Sequence, residues 1–473
     1  MAQAAAGADA AARDAIVPEG PARDLAQREL AARLERLPIT PTHRKARVVV
    51  GFATFFDGFD ALAIAFAMPI IAVAWDLTRA QTGLLISGAY VGQIFGALFF
   101  PWVAERFGRL RSVSYSAGLF GLASLCCAFA FSMPSLLIAR FIQGCGLGGE
   151  VPVASAYINE IARAPSRGRF FLMYEASFAV GYLGAAATGV FLIPSLGWQA
   201  IFVIGALPAA IAAVMRMLLP ESPRWLAGKG RVAEAQAIVA RMEGEAVARS
   251  GRPLPAPDAS RLPPLQAQRT RIRELFSGRY LRRTLVIWTL WFCNFFATQS
   301  LNTWLPTLYR TQYHLSIKET FELAFLGHFF SIGSVIAVAL LLDRTGRRPW
   351  FTGAMALGGL FLIALAATGT KDAVVVMIMA TAAVFCLSTC SVSLYVYTPE
   401  LYPTRMRALG VGAGATVRNI AGSLGPTALG LMLASRGVSS VFLMLGAVPL
   451  VAAAVVAVFG PETKGRVLEE ISP

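Results

Sequence analysis

Asp57, Asp60 and Glu150 are carboxylates inside long apolar runs. Such placement costs about 2.5 to 3.5 kcal/mol per charge on insertion scales, so charges kept there face a cavity or a partner. Read as helix at about 1.5 Å per residue, the chain carries Asp57 about 15 Å and Asp60 about 20 Å inward from Arg47. Their i, i+3 spacing puts both on one face. Glu150, counted back from Arg163, reaches a similar depth. Three carboxylates sharing one cavity repel and desolvate one another, which favours taking up a proton and suits a relay. The alternative is structural pairing, for instance with Arg140, which also lies within a run. Glu175, a little above Arg169, serves the relay or a gate.

Arg418 lies eleven residues beyond Arg407, about 16 Å into its run. A guanidinium stays charged there and offers a planar fork that fits a carboxylate with two parallel hydrogen bonds. The competing reading is a permanent ion pair with Asp57 or Asp60. Trp291, Trp304 and Tyr395 are the aromatic side chains best placed to stack on a flat ring, against the plainer role of packing. Asn294, Gln299 and Asn302 add neutral hydrogen-bonding groups. His328 is a lone histidine on an apolar helix, where packing is the simpler role.

The elements that must position these groups follow from composition. Of 473 residues 56% are hydrophobic and 15% charged, which excludes a soluble globule. Twelve apolar runs, at about 48–74, 82–103, 112–132, 135–160, 170–193, 198–219, 284–308, 320–342, 349–369, 373–398, 408–432 and 438–459, are each long enough to cross a bilayer. This is an all-α membrane protein with twelve transmembrane helices. Its net charge of +15 does not point to nucleic acid, because the basic residues lie between the runs. With both termini cytoplasmic, the outer connections hold only Arg79, Arg310, Lys318, Lys371 and Arg436, and the positive-inside rule fixes that orientation. The six cysteines sit in apolar runs without metal-ligand spacing, and no nucleophile–base pair, nucleotide loop or cofactor motif occurs, so neither an enzyme nor a cofactor is expected.

The expected domains are a cytoplasmic N-terminal tail (1–46), an N-terminal six-helix half (47–219), a cytoplasmic connector (220–283), a C-terminal six-helix half (284–460) and a C-terminal tail (461–473). The N-terminal tail lacks the apolar core of a secretory signal and contains a short amphipathic helix near Asp24, read as a surface helix. The connector holds a helix-prone stretch from Val232 to Glu245.

The halves repeat each other. Glu105-Arg-Phe-Gly108-Arg109 recurs 238 residues later as Asp343-Arg-Thr-Gly346-Arg347, and Pro165-Ser-Arg167-Gly-Arg169 recurs at the same offset as Pro403-Thr-Arg405-Met-Arg407. Pro220-Glu221-Ser222 matches Pro461-Glu462-Thr463. Six spans duplicated in parallel orientation imply two six-helix halves facing across a central cavity.

These loops, with Arg140-Phe-Ile-Gln143-Gly144, PESPRWL at 220–226 and PETKGR at 461–466, resemble the major facilitator superfamily. The paired glutamines of its sugar porters are missing from Trp288-Thr-Leu-Trp291-Phe-Cys-Asn294, which demotes sugar. GLGGEVPVAS at 146–155, Glu175-Ala-Ser-Phe-Ala-Val-Gly, IPSLGWQA at 193–200, Trp304-Leu-Pro306 and Tyr395-Val-Tyr397-Thr-Pro-Glu400 are closer to bacterial nicotinate permeases, themselves similar to organic anion and cation transporters and synaptic vesicle glycoproteins. The resemblance implies proton-coupled uptake of nicotinate or a close pyridine relative by alternating access, in a bacterial inner membrane. Its partners would be a small organic anion, protons and the lipid bilayer. Arg418 would take the anion, and Arg140 would join Asp57, Asp60, Glu150 and Glu175 in proton coupling. Glu105, Arg106, Arg109, Glu160, Arg169, Asp343, Arg344, Arg347, Glu400 and Arg407 would form inner charge networks that hold the halves together when the cavity faces outward. Glu160 and Glu400 stand at different distances from their following prolines, so the two networks are expected to differ. Asp57-Gly-Phe-Asp60 also looks like the first-span motif of aromatic acid and proton symporters, so benzoate-type acids are the alternative. A non-transporting receptor with the same fold is a further one.

Overall fold

The computed structural model describes residues 21–258, 272–331, 333–369, 372–403 and 406–464. Twelve membrane helices form the bundle: α1 (Pro41–Ala74), α2 (Arg79–Phe107), α3 (Arg109–Ala128), α4 (Met133–Ile161), α5 (Ala164–Phe191), α6 (Gln199–Leu218), α7 (Gly278–Thr311), α8 (Ile317–Ser331 and Gly333–Thr345), α9 (Arg347–Thr368), α10 (Ala373–Glu400), α11 (Arg407–Arg436) and α12 (Val438–Phe459). The first begins seven residues before the apolar run does. Thr40 caps it, its hydroxyl accepting from the His43 backbone N–H while His43 Nδ1 accepts from the Thr40 N–H, and Pro41 fixes the first turn. α6 is not straight, with a turn at Gly205 between Gln199–Ile204 and Leu207–Leu218.

Packing repeats as the loops do. In the N-terminal half α1 lies on α5, α2 and α3 on α4, and α3 on α6; in the other half α7 lies on α11, α8 and α9 on α10, and α9 on α12. The halves meet through α2 with α11, α1 with α7, and α5 with α8.

Where they meet along the bundle axis decides what the molecule is open to. The end away from Pro41 and Phe459 is here called the far end, the other the terminal end. At the far end one apolar core includes Phe66 and Leu85 of one half with Trp304, Phe321 and Leu429 of the other. Arg79 Nη1 donates to the Leu433 carbonyl at 2.6 Å, Thr427 Oγ1 to Ser87 Oγ at 2.8 Å, and Phe66 meets Phe321 at 5.3 Å between ring centroids. The backbones almost touch there, since a Cβ on Gly430 would stand 2.5 Å from the Arg79 carbonyl oxygen. Toward the terminal end the core divides in two, one cluster around Val50, Leu110 and Tyr157 and another around Trp291, Phe351 and Tyr397. With the Gln299 amide on the Tyr90 hydroxyl and His328 against Phe66 and Tyr182, these contacts join the halves toward the far end and at mid-height. The cleft between the halves therefore opens at the terminal end.

The amphipathic helix near Asp24 is Pro21–Glu35, and it is a docked element rather than a free surface helix. Leu30, Leu34 and Leu37 bury themselves against Trp225, Val239 and Met242 of the helices Pro223–Gly228 and Val232–Ser250. Arg33 and Arg36 both reach Glu243, at 2.6 and 2.7 Å, and Glu35 takes Arg224 at 2.7 Å.

Candidate functional site

The three mid-depth carboxylates are all buried, but they do not share one cavity as the sequence suggested. Asp60 is enclosed in the N-terminal half: Arg140 Nη1 donates to both its oxygens at 3.1 and 3.0 Å, and Gln143 Nε2 donates at 2.6 Å. Arg140 also donates to Gln143 Oε1 at 2.7 Å, so the three side chains close a ring. Glu150 lies within the same half, accepting from Thr54 Oγ1 at 2.9 Å. Asp57, one turn before Asp60, is the carboxylate whose charge acts on Arg418 and Tyr182. The separation follows from helix geometry: Asp60 of α1 meets Arg140 and Gln143 of α4, Glu150 of α4 meets Thr54 of α1, and the charge of Asp57 acts on Arg418 in the other half. The side chains of Glu175 and Arg169 lie outside the described residues.

Arg418 stands at mid-height on α11 and is only partly covered. Its Nη1 donates to the Tyr395 hydroxyl at 3.3 Å and its Nε to Asn419 Oδ1 at 3.2 Å. The guanidinium carbon sits 5.8 Å from the centre of the Phe295 ring, which stacks on Trp291 at 5.5 Å; Tyr395 meets Trp291 edge-on at 4.9 Å. Trp291 Nε1 donates to Thr398 Oγ1 at 3.1 Å, which fixes the indole against α10. The result is a cation beside an aromatic wall at the head of the cleft, with an acidic group of the other half near it. Phe295 belongs to that wall; among the aromatic residues of its run that could stack on a ring it was passed over for Trp291, Trp304 and Tyr395, although it follows Trp291 at i+4 and so shares its face.

The other residues proposed for binding are spread out. Gln299 bridges the halves, its amide donating to the Tyr90 hydroxyl. Asn294 donates to Ser391 at 2.6 Å within its own half. Trp304 is buried in the far-end core and donates to the Pro426 carbonyl at 3.1 Å, and Asn302 lines a separate cavity beside His328.

The charge networks at the terminal end match group for group, which corrects the expectation that they differ. Arg109 pairs with Glu105 at 2.7 Å and Glu160 at 3.0 Å; Arg347 pairs with Asp343 at 2.8 Å and Glu400 at 2.9 Å. Ser222 donates to Glu160 and Thr463 to Glu400, at 2.5 and 2.6 Å. Glu221 accepts from the Leu110 N–H at 3.0 Å, and Glu462 from the Arg347 and Arg348 N–H groups at 2.9 and 3.0 Å, each capping a helix start. Backbone N–H groups, working against burial, hold the Glu462 carboxyl below its ordinary pKa. Gly108, at φ 117°, could not be replaced without pushing a Cβ to 2.3 Å from Glu221 Oε2. Every one of these bonds runs within a half. Glu105 and Asp343 therefore have their arginine partners while the terminal end is open, contrary to the expectation that the partners appear only on closure. Arg106 lies outside its network, over the Trp102 and Phe107 rings at 5.9 and 5.8 Å. Arg344 is exposed, its carbonyl accepting from Lys464, and Arg407 Nε donates to the Tyr402 carbonyl at 3.3 Å.

Residues 45–473 match the family described as sugar (and other) transporter. The niacin transporter NiaP of Acinetobacter baylyi is 36% identical over 94% of this chain and 99% of its own length. The gallate transporter of Pseudomonas putida is 30% identical over 89% of this chain and 92% of its own. Among solved structures, the xylose transporter XylE from E. coli in a partially occluded inward open conformation superposes with a TM-score of 0.72, at 18% identity, covering 90% of this chain and 99% of that one. Together with the twelve-helix bundle in two repeated halves, these matches establish that the chain belongs to the sugar (and other) transporter family of the major facilitator superfamily and is a membrane transporter, not an enzyme.

Proposed function

We propose that this protein imports nicotinate, or a close pyridine relative, together with protons across a bacterial inner membrane. The observation that carries this reading is Arg418 at mid-height beside Phe295, Trp291 and Tyr395. A planar cation suits a carboxylate, and the adjoining ring faces suit a flat aromatic body. Asp57 on the facing half acts on the Arg418 charge, which an arriving anion would take over. Similarity to the niacin transporter of Acinetobacter baylyi supports the pyridine.

On this reading both termini are cytoplasmic, so the terminal end faces inward and the cleft is open to the cytoplasm. Residues 47–219 and 284–460 act as the two rocking bodies, with 1–46, 220–283 and 461–473 on the cytoplasmic side. Asp60 with Arg140 forms the proton-coupling pair, supported by Asp57, Glu150 and Glu175. The Arg109 and Arg347 networks stiffen each half at its inner end, and serve as gate surfaces when the halves close there.

Similarity to the gallate transporter favours a second reading, a symporter of benzoate-type aromatic acids with the same clamp. Competition uptake in proteoliposomes decides between them. Nicotinate outcompeting benzoate supports the first; benzoate outcompeting nicotinate overturns it.

A further inference from the structure

Arg418 is held by groups that carry no charge. Its Nε donates to Asn419 Oδ1 at 3.2 Å, its Nη1 donates to the Tyr395 hydroxyl at 3.3 Å, and its guanidinium carbon stands 5.8 Å from the centre of the Phe295 ring. The charge of Asp57 acts on it, but no carboxylate among the described residues bonds to it directly. Asn419 is only 4% exposed, so its amide is enclosed by the fold while the guanidinium beside it is partly open. A guanidinium offers five N–H bonds in a rigid fork. With Nε taken, the edge formed by Nε and Nη2 is closed to a two-point contact, and the N–H groups left for a carboxylate lie at the Nη end.

The chemistry at position 419 matters as much as its place. An amide oxygen accepts from Nε without cancelling the charge, whereas a carboxylate of the same size would cancel much of it for any anion that came next. An alkyl group would leave Nε with no acceptor and the fork free to turn. We propose that Asn419 is a positioning residue that sets the acid preference of this site: its neutral amide fixes the guanidinium by Nε, presents the Nη end and leaves the positive charge for an arriving carboxylate. A neutral carboxamide brings no charge to match and is indifferent to that arrangement. The assignment rests on the reading that Arg418 receives an aromatic acid, and not on which one.

The test uses the full chain in lipid nanodiscs and two matched pairs, nicotinate with nicotinamide and benzoate with benzamide. Asn419→Leu and Asn419→Asp both keep the size of the side chain. In Asn419→Leu the acids should bind about three- to tenfold more weakly, the size of one hydrogen bond that orients the fork. In Asn419→Asp they should lose about a further tenfold or more, because the new charge occupies the cation. That order is the reverse of what a structural role gives, since aspartate makes the stronger bond to Arg418 and leucine makes none; thermal unfolding should accordingly find Asn419→Asp at least as stable as Asn419→Leu. Carboxamides that bind should stay within about twofold of wild type, and in proteoliposome counterflow the KM for the acids should rise with the maximal rate held within about twofold. Acids bound as well by Asn419→Asp as by Asn419→Leu, equal losses for acid and amide, no loss in either variant, or a wild type that binds neither acid would overturn the assignment. If benzoate shows the order while nicotinate does not bind, the role of Asn419 stands and the nicotinate reading falls; nicotinate binding indifferent to both variants does the reverse.

Discussion

Arg140 closes on Asp60 with one nitrogen against both carboxylate oxygens, and Gln143 completes the ring by bonding to each of them. Both charges are almost wholly buried. Attraction in such surroundings roughly offsets desolvation while the pair is whole, and the loss of one partner leaves a charge with nothing to answer it.

Arg140→Met should therefore destabilise the protein by about 3 to 5 kcal/mol, and Asp60→Asn added to it should recover most of that. Unfolding of the single and double variants in detergent checks this. A double variant as unstable as the single one would mean that Arg140 acts through packing instead.

Asp60→Asn alone should abolish accumulation against a gradient while substrate counterflow continues, because exchange needs no net proton movement. Asp57→Asn should instead strengthen nicotinate binding, since the charge of Asp57 acts on Arg418 and competes there with the substrate carboxylate. Proton-driven uptake and counterflow, measured side by side in proteoliposomes, separate the two roles. Intact accumulation in Asp60→Asn would place coupling elsewhere.

Arg418→Lys keeps charge but loses the fork, and Arg418→Ala loses both. A charge-assisted hydrogen bond contributes about 1.5 to 3 kcal/mol, so nicotinate affinity should fall by about tenfold or more in Arg418→Ala and by less in Arg418→Lys. Nicotinamide should change little. Equal losses for the two ligands in folded variants would return Arg418 to a structural role.

The docked N-terminal helix should depend on pH. The hydrogen bond from Arg33, against some cost of burial and with Arg36 beside it, holds the Glu243 carboxyl below its ordinary value. A carboxyl depressed on folding stabilises above its unfolded pKa, about 4.3, and that contribution fades as pH falls through the lower folded value. Hydrogen exchange of residues 25–35 should show steady protection above about pH 5 and loss below about pH 4. Glu243→Gln should flatten the profile, and an unchanged profile in that variant would remove Glu243 as its cause.

Much of the architecture was legible because membrane helices must satisfy a length and an apolarity that a sequence displays directly, and because the duplicated loops kept their glycines and arginines. Arg418 was legible for the same reason: a charge in an apolar run stands out. The Asp60–Arg140 pair was not assignable, since the partners are 80 residues apart and helix rotation decides which carboxylate meets the cation. The equivalence of Glu160 and Glu400 was obscured by reading from the prolines after them. The signal lay before them, in Tyr157-x-x-Glu160 and Tyr397-x-x-Glu400; each tyrosine hydroxyl donates to a proline carbonyl, Pro220 at 2.8 Å and Pro461 at 2.6 Å. The start of α1 was missed because histidine replaces the usual glutamate in its capping box.

At the far end, Gly430 lies against the Arg79 backbone with no room for a single added carbon. A methyl group there is a wedge. Its tightest contact is across the closed seam, with Trp304 of its own half next at 3.2 Å, and it touches neither Arg418 nor either charge network, so Gly430→Ala should tilt the resting population toward the opposite access state. Each 1.4 kcal/mol of crowding is worth about a tenfold change in that ratio. Spin labels placed across the far-end rim would read the shift as a longer distance, and the side of the membrane from which the protein waits for its cargo would then be set by one carbon atom.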